Sequence, residues 1–155
     1  MPLIKVTLKD AIWSITEPRL FGKEYPANKI EAVVRWSECF EEYTRTIIPS
    51  TTTLQAAIGA FRGIFITYSL EAQDALLKLS AAVHAFAAAL APGMAAGGFI
   101  ATPPPIPPDF VPVYIFGVGG GSGKECAEMI ADIADAYFRT GTAVPAGGGP
   151  VVPWS

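Results

Sequence analysis

Residues 117–124 read Gly-Val-Gly-Gly-Gly-Ser-Gly-Lys, the residue types of a phosphate-cradling loop. Glycines let backbone N–H groups wrap an anion, and a lysine reaches its oxygens. The run follows the apolar stretch Val111–Phe116, which reads as a short strand, and precedes a helical pattern. That is the order such a loop needs. The spacing does not fit. A glycine should stand five residues before the glycine of the Gly-Lys pair, and Val118 stands there. The hydroxyl that should follow the lysine to reach magnesium is replaced by Glu125. A turn leading into a helix explains the run, and no nucleotide or other cofactor is expected.

Four carboxylates follow: Glu125, Glu128, Asp132 and Asp135. On a helix they line one face, in pairs spaced like metal ligands or acid/base dyads. Such sites need convergent partners, and His84 is the only histidine in the chain, which leaves no triad or histidine-rich metal centre to assemble. The stripe therefore reads as a solvated helix face or as a dock for a basic patch. Cys39 and Cys126 lie in helical surroundings and read as small buried hydrophobes, although a single bridge between them remains open to two cysteines. Pro103–Pro108 contains PxxP without a flanking base and reads as a stiff polyproline spacer. No catalytic or metal-binding residue is assigned.

Four helices are expected to carry these residues. Ala27–Ile48 places Val33, Trp36, Phe40, Tyr43 and Ile47 on one stripe, with Glu31/Arg35 and Glu41/Arg45 as i,i+4 pairs and Pro49 as its stop. A second helix carries Leu54, Ile58, Phe61 and Phe65, and its Gly59 and Gly63 are expected to let a neighbouring helix approach. The third spans about Leu70–Ala91 and stops at Pro92-Gly93. The fourth, about Glu125–Arg139, turns Ile130, Ile133, Ala134 and Tyr137 inward. Residues 4–8 alternate as a short β element that needs a partner edge. The fold class is thus mainly α: a three-helix body plus a C-terminal helix, a short N-terminal β element and long Pro/Gly-rich extended arms. The divisions fall at 1–91, 92–124, 125–139 and 140–155.

Composition narrows the function. Hydrophobic residues make up 51% and charged residues 16% of the 155, against roughly 25% charged in an average soluble domain. A surface so poor in charge points to coverage by partners. The net charge of −3 arises near the C-terminus, and no basic patch exists to neutralise phosphates, so nucleic acid is not an expected partner. The first ten residues lack the apolar run of a signal peptide, so synthesis in the cytoplasm is expected. Residues 79–108 and 140–155 carry no charged side chain. Leu79–Ala101 is long enough to span a bilayer, but Pro92, Gly93, Gly97, Gly98 and His84 interrupt it, and a membrane is the alternative rather than the leading partner.

Residues Gly123–Pro145 combine a helix of the form A-x-x-I-A-x-A-x-x-Y with Thr-Gly-Thr and an uncharged tail. In this the chain resembles small virion structural proteins of tailed bacteriophages. The resemblance implies many copies packed in a tail, baseplate or head–tail junction, with partners drawn from the same particle. On this reading Trp13, Trp36, Phe61 and Phe86 pack the core. Phe99, Phe110, Val152 and Trp154 anchor the arms on neighbouring chains, and Glu125, Glu128, Asp132 and Asp135 offer a charged contact face.

Overall fold

The computed structural model describes residues 3–48 and 50–155. Pro49, the expected stop of the first long helix, lies outside them, as do the first two residues of the chain. Among the described residues six α-helices run in the order α1 (Lys5–Thr16), α2 (Lys29–Thr44), α3 (Thr51–Phe65), α4 (Ala72–Leu90), α5 (Val111–Val118) and α6 (Gly123–Phe138). Three short strands, β1 (Phe99–Thr102), β2 (Thr142–Pro145) and β3 (Val152–Pro153), form one antiparallel sheet in that order. The mainly helical class stands.

Local chemistry sets the helix starts. The Asn28 side chain accepts from the Glu31 N–H at 2.9 Å, and Ser50 caps α3 through the Thr53 N–H. Ser122 and Glu125 form a reciprocal capping box on α6. The i,i+4 pairs of α2 are present, with Arg35 2.6 Å from Glu31 and Arg45 2.8 Å from Glu41.

Two expected strands are helices instead. At the N-terminus the alternation of Ile4, Val6 and Leu8 is outvoted by a longer stripe: Leu8, Ile12 and Ile15 are buried at helical spacing in α1, while Ile4 and Val6 are exposed. Val111–Phe116 lies within α5, whose Pro112 occupies the first turn and whose Val111 N–H is taken by Asp109 at 2.9 Å. Proline in a first turn sacrifices no helical hydrogen bond and presets the backbone.

The Pro/Gly stretches do not form extended arms. α4 ends at Leu90, but Pro92 enters a 3-10 segment, Ala91–Gly97, which closes at Gly98 in a left-handed conformation with φ 82°. Residues 99–102 then pair with 142–145, so the two uncharged stretches make a sheet with each other. Pro104 and Pro108 are buried, and the Pro108 carbonyl accepts from the Ser80 hydroxyl on α4.

A single core gathers residues from all four sequence stretches, from Leu3 to Trp154. Phe40 stands at its centre, with the rings of Phe61, Phe86 and Phe138 at 5.5, 6.2 and 6.3 Å. Trp13 and Trp36 pack against its margin half-buried. The most extensive helix contacts are α3 with α4 and α1 with α6, so the two ends of the sequence close on each other. The buried Ser37 hydroxyl donates to the Val34 carbonyl and accepts from Arg62 Nε at 2.8 Å, which satisfies both groups. Gly59 and Gly63 face solvent, and a Cβ at either would touch nothing within 4 Å. They do not admit a helix; the close approach is at Gly93 instead, which presses on Thr53 of α3.

Candidate interaction surface

The acidic stripe finds its basic partner within the chain. Lys5 and Lys9, one turn apart on α1, reach Asp132 at 2.9 Å and Glu128 at 3.4 Å on α6. Asp135 accepts from Tyr43 Oη at 2.6 Å and is paired with Arg139 at 2.8 Å. Glu125 accepts from the Ser122 N–H and hydroxyl. All four carboxylates thus position helices, and the exposed pairs add little stability beyond that.

Burial raises the Asp135 carboxyl, but hydrogen bonds from Arg139 and Tyr43 outweigh it and hold the group below its usual range. Glu31, Asp74 and Glu125 are held low by hydrogen bonds centred on Ala27, Ser69 and Ser122. A carboxyl depressed in the folded state contributes stability above its unfolded pKa, near 4, and loses it as pH falls further. The melting temperature should therefore hold from neutral pH to about 5 and fall below about 4, with Asp135, the partly buried member, contributing most. Asp135→Asn should flatten part of that fall in melts recorded from pH 7 to pH 2.

The glycine loop holds no phosphate cradle. It follows helix α5 rather than a strand, and at the start of α6 the Glu125 carboxylate takes the Ser122 N–H while Ser122 Oγ takes the Glu125 N–H. Lys124 turns away, its Nζ lying 5.0 Å from the Trp13 ring centroid. His84 Nδ1 lies 2.8 Å from the Tyr137 hydroxyl. Burial pushes the Cys39 thiol up to about 12 and raises Cys126 as well, so neither carries a thiolate at neutral pH. Both cysteines are free.

The four proposed anchors separate. Phe110 and Trp154 are each 2% exposed, filling this chain's own core, and they offer nothing to a neighbour in this state. The reason is local: Phe110 sits at the start of α5, whose Val113 also enters the core, and Trp154 stacks over Gly141. Phe99 and Val152 remain 37% and 38% exposed at the sheet.

A different face was hidden by the misread strand. α5 has no charged residue, and Val111, Ile115 and Val118 stand 40%, 64% and 71% exposed along it. Beside it, an apolar groove of about 480 Å³ runs between α4 and α5, lined by Ala72, Leu76, Val113, Tyr114 and Val118. Leu77 on α4 is exposed nearby in sequence to the groove-lining Leu76. The available signal was Asp109 followed by Pro112, a helix start rather than a strand. A mixed-charge cleft of about 520 Å³ lies elsewhere, between Ser14 of α1 and Arg35, Glu38 and Glu42 of α2, and Arg35 there is already held by Glu31 and the Glu24 carbonyl.

Compared with known proteins, the chain matches no family model, no curated protein and no solved structure.

Proposed function

We propose that this chain is a non-enzymatic structural subunit of a large assembly, a phage particle, where it packs in many copies at a tail, baseplate or head–tail junction. Its partners are other copies of itself and other structural proteins of the same virion. The observation that carries this reading is the uncharged outer face of α5, where Val111, Ile115 and Val118 face water without compensation. Exposed apolar surface of this kind stabilises association when covered. The resemblance of residues 123–145 to small virion proteins supports the setting. The uncharged stretches 79–108 and 140–155, which pair with each other in the sheet, leave Phe99 and Val152 partly exposed for such packing.

The test is Ile115→Asp combined with Val118→Asp. Both side chains are largely exposed, so the circular dichroism spectrum and melting temperature should change little. Self-association or incorporation into particles should fall at least tenfold, since a charge would be buried unpaired at the contact. Unchanged association of the folded double variant would remove α5 as the contact face.

A second reading, attachment to a membrane, is favoured by one observation. The segment Ala72–Gly97 is long and apolar enough to cross a bilayer, and 39% of its most apolar window is buried. Release from cell membranes by high salt without detergent would eliminate it.

A further inference from the structure

We propose that residues 150–155 form an exchangeable plug, seated in its own chain in an isolated copy and in the neighbouring copy in an assembly. The inference rests on the packing reading above for its setting and names the segment that would link one subunit to the next.

The plug is a single indole held in a socket shaped for it. The Trp154 N–H donates to the Gly141 carbonyl at 2.9 Å, and Trp154 Nε1 donates to the Thr142 carbonyl at 3.1 Å. Its ring lies 6.5 Å from that of Phe138. A Cβ on residue 141 would come within 2.6 Å of the indole, so the socket exists because residue 141 is glycine. Two further residues, Val152 and Pro153, pair with Ala143 and Thr142 at the sheet edge. The rest of the segment is loosely engaged: Val151 is exposed, and a groove of about 240 Å³ lies open beside the indole, lined by Ile47, Met94, Phe99 and Ala143.

The tether is a run of glycines whose turn is closed by the Gly148 N–H on the Pro145 carbonyl at 2.9 Å. Gly147, Gly148 and Gly149 follow one another, and a Cβ at Gly147 or Gly148 would meet nothing within 4 Å. Gly148 and Gly149 have φ of 85° and 152°, a conformation that other residues rarely adopt. Every contact that holds the plug involves residues of the socket, and a second copy presents the same socket, so exchange reproduces the same contacts between chains. In a lone chain the short tether keeps the plug at home through its high effective concentration. In a packed array a neighbouring socket held within the tether's reach is presented at a comparable effective concentration and competes with the home socket.

Removing the tether tests this. Ala146 opens the turn just past the end of β2 at Pro145, three residues beyond Ala143, and if the chain stays extended to that point the return to the facing position of Val152 spans about 11 Å. With Gly147–Gly149 deleted, only Pro150 and Val151 remain between Ala146 and Val152, and three links of about 3.8 Å close that span only when fully straight, which disfavours the return within one chain. The deleted full chain should therefore elute at twice the monomer mass with the Trp154 resonance of fluorotryptophan-labelled protein still in its buried position. A folded monomer, whether that resonance stays buried or shifts to solvent, overturns the proposal.

The W154A protein provides a second measurement that needs no deletion. A synthetic peptide of residues 149–155 should bind its empty socket at least tenfold more tightly than the same peptide with alanine in place of tryptophan. Equal binding of the two peptides overturns the exchange. Failure of both experiments would leave self-association through α5 intact, whereas loss of the packing reading would show as a lone chain at its source.

Discussion

Replacing Phe138 by alanine is expected to destabilise the protein by about 3–5 kcal/mol, the range for truncating a fully buried aromatic. The ring is inaccessible to solvent and contacts Phe40, Tyr43, Phe86, Tyr137 and Trp154. It joins α2 and α4 to the last turn of α6 and to the residue that follows the sheet. The cavity left behind has walls on separate elements, which limits collapse. For a domain with about 5–15 kcal/mol of total stability, the loss is a large share, and the melting temperature should drop by about 10 °C or more. Chemical denaturation of purified F138A measures it. The mutation should also loosen Trp154, so near-ultraviolet circular dichroism should change more than the helical signal does. A loss below about 1 kcal/mol would mean that the ring is not packed as described.

Gly93→Ala is the second large effect, and its cause is steric. A Cβ there would lie 2.5 Å from Thr53 Cγ2, 2.8 Å from Thr53 Cβ and 2.9 Å from Thr53 Oγ1. Thr53 is β-branched and sits in the first turn of α3, where its side chain has little freedom to withdraw. Overpacking of this kind costs about 1–3 kcal/mol. Removing the hydroxyl and methyl with Thr53→Ala should recover part of the loss, so the double variant should be more stable than the sum of the two single changes predicts. A double-mutant cycle reads this coupling directly. Additive behaviour would show that the 3-10 segment does not press on α3.

How much of this was legible in the sequence differs from element to element. α2, α3, α4 and α6 each carry an apolar stripe long enough to fix the helical period, and Phe61, Phe86, Ile130 and Ala134 are buried as the stripes require. α1 and α5 were not legible as helices within a window of five or six residues, where Ile4-Val6-Leu8 and Val111–Phe116 favour strand. In α1 the decision comes from Ile12 and Ile15, beyond that window. In α5 it comes from Asp109 and Pro112.

The destinations of the uncharged stretches depend on pairings far apart in sequence. Phe99 faces Pro145, and Lys9 reaches Glu128 across 119 positions. No local periodicity records such pairings. Trp154 illustrates the same limit. A tryptophan in an uncharged Pro/Gly tail reads as an anchor on another chain, yet Trp154 is a core residue of its own. What decides is the space above Gly141, which only the folded chain reveals. The acidic stripe was visible as a stripe, but its basic counterpart on α1 was hidden inside the misread strand.

As proposed, this protein works as one copy among many, through the uncharged face of α5. The native mass of the protein as isolated from its source tests it most directly. The expected result is a particle far larger than the 16.3 kDa chain, containing many copies. A monomer near the chain mass, with no other chain attached, would contradict it.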